Sequence, residues 1–178
     1  GAVVCWGYNA FGEATPPPSV DGTAGTASAI AVGDGHSCAI QADTGAVVCW
    51  GSDLDGQATP PASVNGTAGT ASAIAAGLEH SCAIQAGSGA VVCWGYNSSR
   101  ESIPPASVNG TSGRAAAIAA GYGYTLAIAA PLRLAIDIKP GSDASPIQPF
   151  SRGVIPVAIL GSDDLDVNEI DATSLAFG

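Results

Sequence analysis

The 178-residue chain carries 15 Asp and Glu against 5 Lys and Arg, a formal charge of −10. That balance leaves neither the basic footprint that nucleic acid needs nor a polybasic membrane patch, and no run of 18 apolar residues is present to span a bilayer. With 24 Gly, 12 Pro and only 11% charged residues, the chain points to short strands and tight turns instead of long surface helices.

The first element, "GAVVCWG" at Gly1–Gly7, recurs in full at Gly45–Gly51 and Gly89–Gly95. The chain therefore starts in mid-motif and holds no Met, and it reads as part of a longer polypeptide. "CWG" falls at 5–7, 49–51 and 93–95, a period of 44, and residues 5–48 match 49–92 at 32 of 44 positions. After each "CWG" comes a variable stretch and then "ATPP", at 14–17 and 58–61. Its prolines exclude helix and central strand, so it reads as an extended connection on the rim. Asp21-Gly22 and Asn65-Gly66 are turn signals. "SAIAVG" (28–33), "HSCAIQA" (36–42) and "GAVVCWG" (45–51) then read as strands. A third copy starts at Cys93 and decays: "GQATPP" becomes "RESIPP" at 100–105, and "GLEHSCAIQA" becomes "GYGYTLAIAA" at 121–130. About four short strands per repeat suit one blade of a β-propeller.

The cysteines admit a register argument. Antiparallel pairing about Asp43-Thr44 sets Ile40 opposite Val47 and Cys38 opposite Cys49, on one face. The same geometry about Gly87-Ser88 sets Cys82 opposite Cys93, within reach of a disulfide. Cys5 would pair eleven residues upstream, ahead of residue 1, and is left unpaired in this chain. Leu126 and Asp137 occupy the two cysteine positions of the decayed copy, so both are lost together. Buried free thiols and a zinc site are the competing readings. Zinc is disfavoured by an eleven-residue spacing without compact C-x2-C knuckles. A bridge here implies an oxidising compartment.

His36 and His80 recur once per repeat, with Tyr124 in third place. Recurrence suits a hydrogen bond that holds the fold better than a single active site. Trp6, Trp50 and Trp94 are expected to fill the inter-blade core. The acidic run of Asp163, Asp164, Asp166, Asn168, Glu169 and Asp171 lacks the D-x-D-x-D-G loop of a calcium site and reads as a solvated loop. Asn65, Asn97 and Asn109 match the glycosylation acceptor pattern, and at Asn65 and Asn109 the Asn-Gly is already explained as a turn. No catalytic signature, cofactor-binding motif or metal-ligating set is recognised.

The pattern of Gly33, His36, Ser37, Ala39, Ile40, Gly45, Val47, Trp50 and Gly51 resembles the repeats of the regulator of chromosome condensation family. Tyr8, Asn9, Gly12 and the Gly56-Gln57 pair extend the likeness, which covers residues 1–130. The resemblance implies an all-β chain, an incomplete β-propeller of two full repeats and partial ones. The short, cysteine-paired form looks like bacterial extracellular members. Residues matching the exchange loops of the nuclear factor are not found. From 131 to 178 the composition changes, and "IDIKPGS" with "SRGVIPVAILGS" resembles the start of a β-sandwich domain of secreted bacterial proteins.

The leading expectation is a non-catalytic, extracellular or cell-surface scaffold binding a protein or polymer, without nucleic acid, membrane span or cofactor. Alternatives are the propeller portion of a larger secreted enzyme and a GTPase-exchange-like regulator. The candidate binding surface is where the copies differ: Tyr8, Phe11 and Asp34 in the first, with Ser52, Leu54, Asp55, Leu78 and Glu79 in the second.

Overall fold

Residues 1–130 are described by the computed structural model. The expected sandwich start at 131–178, with its acidic run, lies outside the described residues. Eight strands follow in order: β1 (Ala27–Val32), β2 (His36–Gln41), β3 (Val47–Gly51), β4 (Ala71–Ala76), β5 (His80–Gln85), β6 (Val91–Gly95), β7 (Arg114–Ala120) and β8 (Thr125–Ala130). They form antiparallel sheets β1-β2-β3, β4-β5-β6 and β7-β8. No helix occurs among the described residues, and none there is long and apolar enough to cross a membrane.

Each complete sheet has the same logic. The middle strand, "HSCAIQ", is buried on both faces, because sheets or loops pack on either side of it. Its small Ser, Cys and Ala side chains permit that close stacking. The hairpin register is the one the turn centre dictates: Ile40 faces Val47, Cys38 faces Cys49 and His36 faces Gly51. The turn closes through Gly45, whose φ of 72° favours glycine. Disulfides join Cys38 to Cys49 and Cys82 to Cys93, while Cys5 is a free thiol.

The ladder holds three strands per repeat where the sequence suggests about four. The place of the fourth is taken by a single hydrogen bond, from Val47 N–H to Val64 C=O at 2.9 Å. Pro60 and Pro61 lack amide donors, and the chain reverses directly after Val64, where Gly66 N–H donates to Gly69 C=O at 2.8 Å. Val64 itself is fully buried.

Apolar layers form between successive repeats. Ile40, Val47, Val64, Ala71, Ala83 and Trp94 make one, and Cys82, Ile84, Val91, Val108 and Ala115 the next. Val3, Val20, Ala27 and Ala39 make a third, with Trp50 packed against it. The expected inter-blade role holds for Trp94, 8% exposed, and for half-buried Trp50. It does not hold for Trp6, which is 86% exposed. Its indole lines an open cavity together with Ile30, Val32 and Trp50.

Candidate functional site

The repeated residues build a clasp between blades. His36 Nε2 lies 2.8 Å from Ser81 Oγ, on the next blade. The Ser81 hydroxyl donates to the Gln57 carbonyl at 3.0 Å, so its one hydrogen is committed. It must accept from His36, which places the imidazole proton on Nε2. The Gln57 carbonyl also accepts the Trp94 indole N–H at 2.9 Å. Thr125 replaces serine one repeat on: His80 Nε2 meets its hydroxyl at 2.9 Å, and that hydroxyl reaches the Glu101 carbonyl at 3.2 Å.

Glycine makes the clasp possible. A Cβ on Gly33 would run into the His36 ring, at 2.5 Å from Nδ1, and into the Gly77 carbonyl at 2.6 Å. Gly77 stands in the same relation to His80. His36 is fully buried, and its Nδ1 has no partner. Burial and the neighbouring His80 push its pKa down to about 4, against a smaller pull from Asp53. Burial lowers His80 too, with Glu101 opposing. Both rings are neutral structural donors at neutral pH.

The variable loops are stapled from within. Asn9 Oδ1 accepts from Ala14 N–H at 2.8 Å, and Asp53 Oδ1 accepts from Ala58 N–H at 2.7 Å. Glu13 Oε2 accepts from Phe11 N–H and Gln57 Oε1 from Asp55 N–H, each at 2.8 Å. Those side chains fold back onto the backbone of their own loops and leave their neighbours outside. Tyr8 is 75% exposed, Phe11 56% and Leu54 87%. Asp34 and Asp55 are exposed, while Ser52, Leu78 and Glu79 are half-buried.

Two groupings result, one where β1 turns into β2 and β3 ends, the other at the equivalent strand ends of the next repeat, where β4 turns into β5 and β6 ends. Ser52 N–H donates to Gly35 C=O at 2.7 Å, and a Cβ on Gly35 would lie 3.3 Å from the Phe11 ring. Phe11, Asp34 and Ser52 therefore share one surface, with Tyr8, Leu54 and Asp55 on the same loops. Leu78 N–H meets Tyr122 C=O at 3.2 Å, and Tyr96 N–H meets Glu79 C=O at 2.8 Å. Tyr96 and Tyr122, 41% and 76% exposed, thus join Leu78 and Glu79. Sequence comparison of the copies passes over both tyrosines. The available signal is that Tyr96 repeats Tyr8 at a distance of two periods. Among the described residues no three His, Cys, Asp or Glu side chains gather as a metal site.

Residues 27–57 and 71–100 match the regulator of chromosome condensation (RCC1) repeat. No curated protein matches the chain. Among solved structures, the entire ectodomain of the receptor kinase CR4 from Physcomitrella patens is 28% identical, with a TM-score of 0.52 over 70% of this chain and 32% of its own. Prp20p of Saccharomyces cerevisiae, whose binding to Gsp1p and histones is described with its structure, is 18% identical, with a TM-score of 0.55 over 72% of this chain and 39% of its own. Yeast RCC1 (Prp20) bound to Kap60 gives 18% identity and a TM-score of 0.50, over 70% of this chain and 37% of its own. The chain spans about a third of the length of such structures. Residues 27–57 and 71–100 are therefore repeats of the regulator of chromosome condensation family, laid out as blades of its β-propeller.

Proposed function

We propose that the chain is a non-catalytic binding scaffold of an extracellular or cell-surface protein. In this reading the loop face carrying Tyr8, Phe11, Asp34, Ser52, Leu54, Asp55, Leu78 and Glu79 meets a protein or polymer other than nucleic acid. One observation carries it: the copies agree in the residues that hold blades together and differ in adjoining, outward-facing loop residues. Large apolar side chains such as Leu54 and Tyr8, 87% and 75% exposed, do not stabilise the fold from there. Held out on stapled loops, they fit recognition by a partner. Two disulfides, and the likeness to a receptor-kinase ectodomain, support an oxidising location. The repeat region is taken to end at 130, with a separate domain starting at 131.

The test is binding of the purified chain to arrays of immobilised cell-wall polysaccharides and of secreted proteins. A specific signal is expected, and the triple variant Tyr8→Ser, Phe11→Ser, Leu54→Ser should lower it by about tenfold or more. Its thermal midpoint should stay close to that of the parent. A signal indifferent to the triple variant, or none on either array, overturns the proposal.

A further inference from the structure

The middle of the repeat region is the part with described chain on either side. There the loop after β3 and the β4–β5 turn converge on Gly95, the last residue of β6. A Cβ on Gly95 would lie 2.5 Å from the Glu79 carbonyl oxygen and 3.1 Å from Gln57 Cα. Tyr96 N–H donates to that same Glu79 carbonyl at 2.8 Å. Asp53, Leu54, Asp55, Glu79 and Tyr96 therefore belong to one patch. Leu54 is 87% exposed and Tyr96 41%, and both aspartates are exposed. The Asp53 carboxylate holds its own loop, accepting from Ala58 N–H and from the Thr59 hydroxyl. Asp55 is bonded into that loop through its backbone N–H, which leaves its carboxylate to solvent.

Charge is divided unevenly between the two ends of the sheets. Residues 1–130 hold eight carboxylates. Six of them, Glu13, Asp34, Asp53, Asp55, Glu79 and Glu101, sit at this end, where Arg100 is the one base among the described residues. The opposite end, where β2 turns into β3, carries Asp21 and Asp43, with Arg114 opening β7. Such a field steers a partner of opposite charge. The apolar side chains set a further condition. A small hydrated cation gains nothing from Leu54 or from the Tyr96 ring. A guanidinium is weakly hydrated, stacks on an aromatic face and pairs bidentately with carboxylates. Its carrier must also offer apolar side chains to cover Leu54.

We propose that this patch docks an arginine-rich, amphipathic segment of a partner protein. Asp55 and Glu79 pair with its guanidinium groups, Tyr96 stacks on one of them, and Leu54 meets its apolar side. The proposal rests on the reading of the loop face as a binding surface and names the chemistry of what that surface takes. An anionic polymer is repelled from this end, and a neutral polysaccharide draws nothing from its charge.

The test is fluorescence anisotropy of the purified chain with a labelled peptide alternating arginine and leucine, beside a counterpart with glutamate for arginine. The arginine peptide should bind and the glutamate peptide should not, and about 0.5 M salt should weaken binding about tenfold. Asp55→Asn with Glu79→Gln should weaken it about fivefold or more. Leu54→Ser should lower affinity without changing the salt dependence. Asp21→Asn with Asp43→Asn removes the same net charge at the other end and should change binding by less than about twofold. Asn65 already fills the turn position of Asp21 one repeat on, so that variant keeps its fold. Failure of the arginine peptide to bind, or an equal loss in the two charge variants, overturns the proposal. If the array screen still gives a signal that its triple variant lowers, the scaffold reading stands and the cationic partner alone falls.

Discussion

His36 is a residue whose chemistry depends on where the next blade puts a hydroxyl. Its Nε2–H donates to Ser81, while Nδ1 is buried beside Gly33 without a partner. A second proton on the ring would therefore be desolvated and close to His80, with Asp53 as partial compensation. The folded-state pKa of about 4 lies below the ordinary 6.5. The unfolded chain thus binds the proton first as pH falls. The contribution of His36 to stability is whole above pH 6.5, falls between 6.5 and about 4, and changes no further below that. At pH 5 the loss from this ring is about 2 kcal/mol relative to pH 7. His80, lowered for the same main reason, adds in the same direction. Urea unfolding at the two pH values should show the fall, and His36→Gln should flatten it. An equal fall in parent and variant would mean that the ring is not the titrating group.

At the scale of the element, the third repeat shows how a loop tolerates the loss of its glycine. Gly12 and Gly56 stand at φ of 83° and 81°, and Arg100 holds the equivalent place at 68°. A non-glycine residue in this left-handed region costs about 1–2 kcal/mol, while the added backbone freedom of glycine in the unfolded chain costs about 0.5–1 kcal/mol. Arg100→Gly should therefore stabilise the protein by about 0.5–1 kcal/mol, read as a rise in the urea midpoint without change in slope. A fall would show that the arginine side chain makes a contact worth more than the strain. The same comparison explains what was legible in the sequence. Hairpin register needs only a turn centre and a period of two, so Cys38–Cys49 and Ile40–Val47 could be read directly. Ser81 could not be read as the partner of His36, because the link spans 45 residues and exists only once blades stack. Its signal was a hydroxyl at 37, 81 and 125, once in every repeat. The candidate surface was legible as positions that differ, but variation alone could not separate Leu54, which points out, from Asp53, which pins its loop. The count of about four strands included the extended rim segment, which Pro60 and Pro61 keep out of the ladder by removing its donors.

Across the whole molecule, stability has to come from small side chains. The inter-blade layers are built on Ala, Val and Ile with one fully enclosed tryptophan, Trp94. Each buries less apolar surface than a Leu- or Phe-rich core would. The disulfides then matter out of proportion to their number. Each closes a loop with a sequence separation of 11, which contributes about 3 kcal/mol in the chain-entropy account. Two of them approach 6 kcal/mol, comparable with the total stability of many domains, about 5–15 kcal/mol. Reduction should accordingly take this chain to the edge of unfolding, whereas opening one bridge should not. The native protein should react with a thiol reagent at Cys5 alone, and at all five cysteines after unfolding and reduction. The paired variant Cys38→Ala, Cys49→Ala should lose about 2–3 kcal/mol and stay folded. Full reduction at neutral pH should remove most of the cooperative urea transition followed by circular dichroism. If the reduced chain keeps a cooperative transition within 1 kcal/mol of the oxidised one, the bridges are incidental to the fold, and the argument they make for an oxidising compartment falls with them.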